Sequence, residues 1–304
     1  MDVVTPPPVL LVVFNRPEVT ALALDALRRI APPVLFVAAD GPRPGHPTDE
    51  ANCAEVRALL GTIDWPCQVR RLERDVNLGL DDAMVGAIDW FFDAVDRGVV
   101  LEDDCLCHPD FFRLAGEVLD RYVDDPTVAY LTATNLAPDR SFGDGSWFFA
   151  SGGNVWGWAT WRRAWVGHRA VMEHWASHRE RVLALDHPVA RPLARKADEA
   201  AARGRWSWVR ARHTAVLVAQ ARVAVPATNL VQNIGFGPDA TNTRSARHSL
   251  AGIPVAGLGV HLVPPSDDAP SRDYDLLLRR HHTRSLRHRV RRRVDRLVPG
   301  GRDR

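Results

Sequence analysis

Strand-like and helix-like runs alternate along the first 130 residues, and this alternation constrains the fold more than any other feature of the sequence. Short apolar runs rich in β-branched residues predict strands at residues 9–14, 34–39, 67–72 and 99–101. Amphipathic runs predict a helix that begins near Pro17 and further helices at residues 48–60, 80–95 and 109–122. Because such units place successive strands side by side in one direction, we expect an α/β fold with a mainly parallel sheet and helices on both faces.

The chain changes character after residue 130. A segment rich in Gly and Trp, SGGNVWGWATWRRAW (151–165), precedes an Ala- and Arg-rich stretch and then NLVQNIGFGPDATNT (229–243). Their weak periodicity predicts that loops dominate this half. The stretch DYDLLLRRHHTRSLRHRVRRRVDRL (273–297) sets leucine and valine against many arginines, which predicts a basic amphipathic helix.

Composition narrows the class of protein. The 304 residues are 46% hydrophobic and carry a formal net charge of +2, so we expect one large or two closely joined globular domains and no nucleic-acid partner. Lys196 is the single lysine, which argues against a Walker loop and a Schiff-base enzyme. The four cysteines lack zinc spacing and read as free thiols, and the first apolar run is too short for a signal peptide or membrane span. We therefore expect a cytoplasmic protein.

Polar side chains follow each predicted strand of the first half. Asn15 and Arg16 follow the first strand, and the second strand is closed by Asp40. Asn77 and Gly79 follow the third strand, and the fourth runs into three consecutive carboxylates, residues 102–104. Ligands of parallel α/β sheets bind outside the carboxyl ends of the strands, so these groups are expected to meet.

Three adjacent carboxylates repel one another, and a divalent cation would relieve the repulsion. Mg²⁺ or Mn²⁺ takes one or two protein carboxylates and completes its shell with phosphate oxygens and water. An aspartate such as Asp40 can accept a hydrogen bond from a base imide, and Arg16 can pair with phosphate, which together indicates a nucleoside-diphosphate site. The alternatives are that Asp103 or Asp104 caps the next helix, that Asp40 forms a turn and that Arg16 is solvated.

The order of these segments resembles that of GT-A-type glycosyltransferases, in particular bacterial surface-polysaccharide transferases and, more distantly, N-acetylglucosaminyltransferase I. The resemblance covers about residues 8–245 and rests on VVFNRPE, VAADGPR, NLGL, VVLEDDCLCHPDFF, WGWATWRRAW and NLVQNIGFGPDATNT. It implies that Asp104 binds the metal and that Glu102 and Asp103 face the sugar. It also implies substrate contacts on the other strand ends, from Asn15, Arg16, Asp40, Asn77 and Gly79.

The second half would complete the substrate site. Trp158 resembles the aromatic residue of the donor-sugar and acceptor pocket, with a tryptophan-lined core turn as the alternative for this segment. The NIGFGPDATNT segment resembles a mobile loop that closes over the diphosphate. Its candidate contacts are Asn233, Gly235, Gly237 and Thr241.

Two positions depart from the family pattern. Many relatives have a histidine where this chain has Asn242, so an imidazole role there is either lost or moved to His248 or His261. Relatives often show Trp-Asp where this chain has Trp208 followed by Val209, and a valine cannot take a proton. The remaining candidates for the catalytic base are Asp198 and Glu199, then Asp239, with solvated surface acids as the alternative for the first two.

The resemblance implies a metal-dependent, inverting glycosyltransferase that moves a sugar from a nucleoside-diphosphate sugar to a hydroxyl of a glycan, glycolipid or small molecule. Residues 1–130 would bind the nucleotide sugar, residues 131–270 would bind the acceptor, and residues 271–304 would form a basic tail that contacts the inner membrane face. Two alternatives stay open: a sugar nucleotidyltransferase, although FNRPE (14–18) contains neither glycine nor lysine, and a nucleotide-sugar-binding protein without turnover.

Overall fold

The computed structural model describes residues 5–166, 168–204, 206–236 and 252–280. The first half forms β1 (Val9–Val13), α1 (Pro17–Ile30), β2 (Val34–Ala39), α2 (Asp49–Leu59), β3 (Gln68–Glu73), α3 (Leu80–Ala94), β4 (Arg97–Glu102), β5 (Cys105–Cys107) and α4 (Pro109–Arg121). These bounds confirm the four predicted strands and four predicted helices to within one or two residues. The short strand β5 and a single 3-10 turn at Leu60–Thr62 were not predicted.

Helix α1 shows why the sequence signals hold here. Pro17 occupies the first turn, where its missing N–H costs no hydrogen bond, and Glu18 lies near the positive end of the helix dipole. Thr20, Ala23, Leu24 and Leu27 fall on one buried face. The helix ends at Ala31, which adopts a left-handed conformation with φ of 48°.

The second half forms β6 (Val128–Thr132), β7 (Trp147–Ala150), β8 (Trp158–Trp161), α5 (Arg162–Trp165), α6 (His168–Glu173), α7 (Trp175–Leu183), α8 (Ala190–Ala202), α9 (Trp208–Val218), β9 (Arg222–Pro226) and β10 (Val231–Asn233). A further helical stretch covers residues 272–280. Loops account for residues 133–146 and 252–269, but the described residues from 147 to 236 contain more regular structure than their weak periodicity predicts.

The described strands form one eight-stranded sheet in the order β3-β2-β1-β4-β8-β6-β9-β7, and β5 pairs separately with β10. Strands β1 to β4 are mutually parallel. Strands β4 and β6 are both antiparallel to β8, and β9 is parallel to β6, so β1–β4, β6 and β9 all end at the same edge. This edge is called the carboxyl edge below.

Helices cover both faces of the sheet. One face packs Val9 and Leu11 of β1 against α1, α2 and α4, and the other packs Leu10 against α3 and the helices α7–α9. Alternate residues of β1 are therefore buried in two separate cores, one on each face of the sheet. This is why the sequence of β1 is apolar throughout. The arrangement confirms the predicted α/β class.

Within the described ranges, no helix combines the length and the apolarity that a bilayer crossing requires. Most of the predicted basic tail, residues 281–304, lies outside the described residues.

Candidate functional site

The acidic triplet lies at the carboxyl edge, beside the end of β1. The backbone N–H of Asp103 donates to the carbonyl of Val12 (3.1 Å), which continues the β4–β1 pairing past Glu102. Arg16, in the turn after β1, donates to a carboxylate oxygen of Asp103 and to Oδ2 of Asp104 (3.0 Å). Asp103 is only 2% exposed, so Arg16 neutralises a buried charge.

Burial raises the pKa values of two carboxyls in this cluster. It raises the pKa of Asp103 to about 6, against the opposing attraction of Arg16. It also raises the pKa of Glu102 to about 8, and the charges of Asp104 and Asp103 add to that rise. The raised pKa of Glu102 shows that three adjacent carboxylates crowd this edge, which is the repulsion that a divalent cation would relieve.

Three consecutive residues from the second half, 233–235, reach the triplet through the β5–β10 pair. Asn233 donates from Nδ2 to Oδ1 of Asp104 (3.1 Å), and the N–H of Ile234 donates to the Asp104 carbonyl (2.9 Å). A Cβ atom on Gly235 would lie 2.1 Å from Oδ2 of Asp104. Only glycine permits this approach, so the structure brings Asn233 and Gly235 to the predicted metal ligand.

Asp40 and the turn after β3 form the neighbouring part of the edge. Asp40 is 5% exposed, and its carboxylate accepts from Nδ2 of Asn77 (2.9 Å) and from the N–H of Leu78 (3.2 Å). Burial raises the pKa of Asp40, and the Leu78 amide opposes the rise. Asn77 also accepts from the N–H of Gly79 (3.0 Å), whose φ of 78° is left-handed. Asn77 and Gly79 therefore hold the turn against Asp40.

A buried carboxylate that sequence reasoning missed holds Asn15. Asp49, at the start of α2, has a fully buried side chain that accepts from Nδ2 of Asn15 (2.8 Å) and from Nε of Arg43 (2.6 Å). His46 Nδ1 lies 3.0 Å from the same carboxylate. The Arg43 hydrogen bond holds the pKa of Asp49 well below its ordinary value. No local signal identifies this role, because the burial comes from tertiary contacts.

Trp158 lies in the core and not on a sugar-binding surface, so its predicted role is corrected. Its side chain is 1% exposed and stacks on Trp208 with ring centroids 6.2 Å apart. The guanidinium of Arg212, also buried, lies 5.3 Å from its centroid. These neighbours occupy the ring faces that a sugar would need.

Trp156, two residues earlier, is only partly buried. It meets Phe236 edge to face at 5.5 Å and lines a small cavity with Thr134 and Asn233. This cavity of about 10 Å³ has room for about one water molecule. Trp156 is therefore the aromatic residue of the segment that lies beside the acidic cluster.

The contacts of Asp198 and Glu199 favour the alternative of surface acids. Asp198, on α8, accepts from Nε1 of Trp175 (2.9 Å) and from Nε of Arg179 (2.9 Å). The Arg179 hydrogen bond lowers the pKa of Asp198, which makes it a weaker base. Glu199 pairs with Arg195 at 3.8 Å along the same helix.

One of the remaining candidate site residues is described by the structure, and the others are not. His261 is exposed on the long loop of residues 252–269. Several lie outside the described residues: Gly237, Asp239, Thr241, Asn242 and His248.

Asp104 offers a single carboxylate to a divalent cation. In the described part of the chain, no three His, Cys, Asp or Glu side chains are grouped to hold a metal. The Asp104 side chain is 14% exposed, and its oxygens accept from Arg16 and Asn233. Mg²⁺ and Mn²⁺ suit such a site only when phosphate oxygens and water supply most of the shell, as in nucleotide-binding enzymes. Asp104 therefore fits a metal that arrives with a phosphorylated ligand, in exchange for the Arg16 hydrogen bond.

No protein-family model and no curated protein matches the chain. Among solved structures, the chain is similar to a cytidylyltransferase from Leptospira borgpetersenii serovar Hardjo-bovis (strain JB197), with 13% identity and a TM-score of 0.32. The match covers 54% of this chain and 63% of that one. So low a score is too weak to bear on function, and the resemblance to GT-A glycosyltransferases stays a prediction.

Proposed function

We propose that this protein is a glycosyltransferase that takes a nucleoside-diphosphate sugar, with Mn²⁺ or Mg²⁺, and transfers the sugar to a hydroxyl of a glycan, glycolipid or small molecule. The observation that carries the proposal is the meeting of Arg16, Asp103, Asp104 and Asn233 at the carboxyl edge. Asp40 follows the adjacent strand, so a nucleotide bound along the edge would span both groups.

The proposed roles follow from the contacts. Asp104 would hold the metal, which neutralises charge on the departing diphosphate when bound. Arg16 has further N–H groups for phosphate oxygens, since a guanidinium carries five. Asp40 keeps lone pairs for a base imide after accepting from Asn77 and Leu78. Glu102, which is partly exposed, would hydrogen-bond a sugar hydroxyl. The side chain of Asp103 is 2% exposed and accepts from Arg16, so it would position Arg16 and would not contact the sugar.

A thermal-shift screen tests the donor class. UDP-, dTDP- and GDP-sugars are each added with Mn²⁺ or with EDTA, because a ligand that binds the folded state raises the melting temperature. We expect one base to raise it in the presence of Mn²⁺, with a much smaller rise in EDTA. Asp104→Asn should remove the Mn²⁺-dependent part. The proposal fails if no nucleotide sugar raises the melting temperature under either condition.

A further inference from the structure

The candidate site still lacks a group that can take the proton of an attacking hydroxyl. Asp103 is buried against Arg16, and Asp104 is the proposed metal ligand. Asp198 and Glu199 pair with arginines on the surface of the protein. A general base for inverting transfer must lie at the carboxyl edge, on the side of the sugar opposite the diphosphate, and must keep a carboxylate oxygen for the hydroxyl.

Asp81 lies at the carboxyl edge, in the first turn of α3. Helix α3 begins at Leu80, immediately after the turn of residues 77–79 that lies against Asp40. Its buried face includes Met84, which packs into the core between α3 and the sheet. Because residues three positions apart share a helix face, Asp81 lies on the side of α3 that faces this core.

The start of α9 brings Asp81 to the end of β4. Oδ1 of Asp81 accepts from the N–H of Trp208 (2.8 Å), the first residue of α9. Trp208 stacks on Trp158 of β8, which pairs with Val100 of β4. Glu102 lies two residues beyond Val100 and therefore on the same face of β4, since side chains alternate along a strand. Asp81 and Glu102 thus share one face of the sheet at the carboxyl edge.

The contacts of Asp81 leave its carboxylate able to take a proton. The N–H of Trp208 is a neutral donor, and among the described residues no arginine, lysine or histidine forms an ion pair with Asp81. The side chain is half-buried, and no donor from the described part of the chain reaches Oδ2. One oxygen therefore fixes the orientation of the carboxylate, and the other remains for a substrate hydroxyl.

We propose that Asp81 is the general base of sugar transfer, an inference that rests on the proposed function. Oδ2 of Asp81 takes the proton of the acceptor hydroxyl while the hydroxyl oxygen forms its bond to the anomeric carbon. The bond from that carbon to the diphosphate breaks on the opposite side, and its electron pair leaves with the nucleoside diphosphate. The configuration of the sugar is inverted. The sugar would lie between Glu102 and Asp81, with Asp104 on the diphosphate side.

The hydrogen bond to Trp208 also joins the starts of two helices, so Asp81 has a structural role as well. Asp81→Asn separates the two roles, because asparagine keeps an oxygen that accepts from the Trp208 N–H but cannot take a proton. Asp82→Asn is the matched control, since Asp82 is the next residue of the same helical turn and is exposed. Both variants should keep the melting temperature and the donor-induced stabilisation of the wild type.

The experiment follows release of nucleoside diphosphate by the full-length protein in Mn²⁺, from the nucleotide sugar that thermal shift selects. Water is one acceptor, and sodium azide is the other, because azide is a nucleophile with no proton to lose. We expect Asp81→Asn to hydrolyse the donor at least about 100-fold more slowly than the wild type, and Asp82→Asn to match the wild type. Azide should restore the rate of Asp81→Asn and give a glycosyl azide of inverted configuration.

Hydrolysis at the wild-type rate by Asp81→Asn would overturn the assignment of the base and leave the glycosyl transfer standing. A slow Asp81→Asn that azide does not restore, or that has lost donor-induced stabilisation, would also overturn it in favour of the structural role. A wild type that binds the donor but releases no diphosphate to water or azide would overturn the glycosyl transfer, and the assignment of the base with it.

Discussion

Replacing Arg16 by methionine tests the electrostatic core of the candidate site. The substitution removes the cation that bridges Asp103 and Asp104 and leaves the apolar stem in place. Asp103, at 2% exposure, would then be a buried charge without its partner. Removing one member of a buried ion pair lowers the free energy of unfolding by about 3–5 kcal/mol. Because Arg16 is partly exposed, we expect a loss at the lower end of this range, about 3 kcal/mol at pH 8.

The pH dependence of that loss follows from the pKa of Asp103. Burial raises it from 3.8 to about 6, so the folded state binds the proton more tightly than the unfolded state. The native protein therefore loses stability as pH rises from about 4 to 6, by about 3 kcal/mol. Without Arg16 the pKa of Asp103 rises further, so the penalty of the substitution should shrink to less than about 1 kcal/mol at pH 5.

Urea unfolding of the wild type and Arg16→Met at pH 5 and pH 8, in EDTA, measures the loss of stability at each pH. Arg28→Met is the matched control, since Arg28 lies on α1, the helix that follows Arg16, and pairs with the exposed Asp64 (2.8 Å). It should change stability little at either pH. Adding Asp103→Asn to Arg16→Met should restore most of the loss at pH 8. A loss no larger than that of Arg28→Met, or one of equal size at both pH values, would refute the reasoning.

Three further outcomes are expected. Gly235→Ala should weaken donor binding roughly tenfold in calorimetry, because the new Cβ meets a carboxylate, whereas Gly252→Ala, with nothing within 4 Å, should not. Asp49→Asn should cost about 2 kcal/mol in urea unfolding at pH 7, and the difference from the wild type should shrink steadily as pH falls below about 4, because Arg43 lowers the pKa of Asp49. Asp198→Asn should retain sugar transfer in a product assay, and an inactive variant with unchanged donor binding would reinstate it as the base.

The first half of the fold was predictable because its strands and helices carry strong local signals. The run Val9–Val13 is apolar throughout, as a strand covered on both faces must be, and Pro17 marks the start of the next helix. The second half lacks such signals. Strands β7 and β8 are only four residues long, and their Trp, Phe, Ala and Thr content fits several structures. Their place in the sheet comes from pairing with distant strands.

The candidate site likewise contains residues whose positions were predictable from the sequence and residues whose positions were not. The meeting of Arg16, Asp103 and Asp104 was predictable because parallel strands bring their carboxyl ends to one edge. The hydrogen bond from Asn233 to Asp104 was not, because the resemblance gave Asn233 only as a phosphate or sugar contact. The burial of Trp158 was not predictable, because it results from contacts with Trp208 and Arg212, which lie about 50 residues away in the chain. Burial of a single side chain is a property of the tertiary contacts.

The products formed from a nucleotide sugar in Mn²⁺ test the central claim most directly. The donor selected by thermal shift is incubated with the protein, with and without a lipid-linked or soluble acceptor, and the nucleotide product is identified by mass spectrometry. Glycosyl transfer, including slow transfer to water, predicts release of the intact nucleoside diphosphate, with Asp104→Asn at background. Release of nucleoside monophosphate, or of nucleoside triphosphate when pyrophosphate is added, would contradict the claim in favour of nucleotidyl chemistry. A donor that binds tightly and is never cleaved would contradict it in favour of a binding protein.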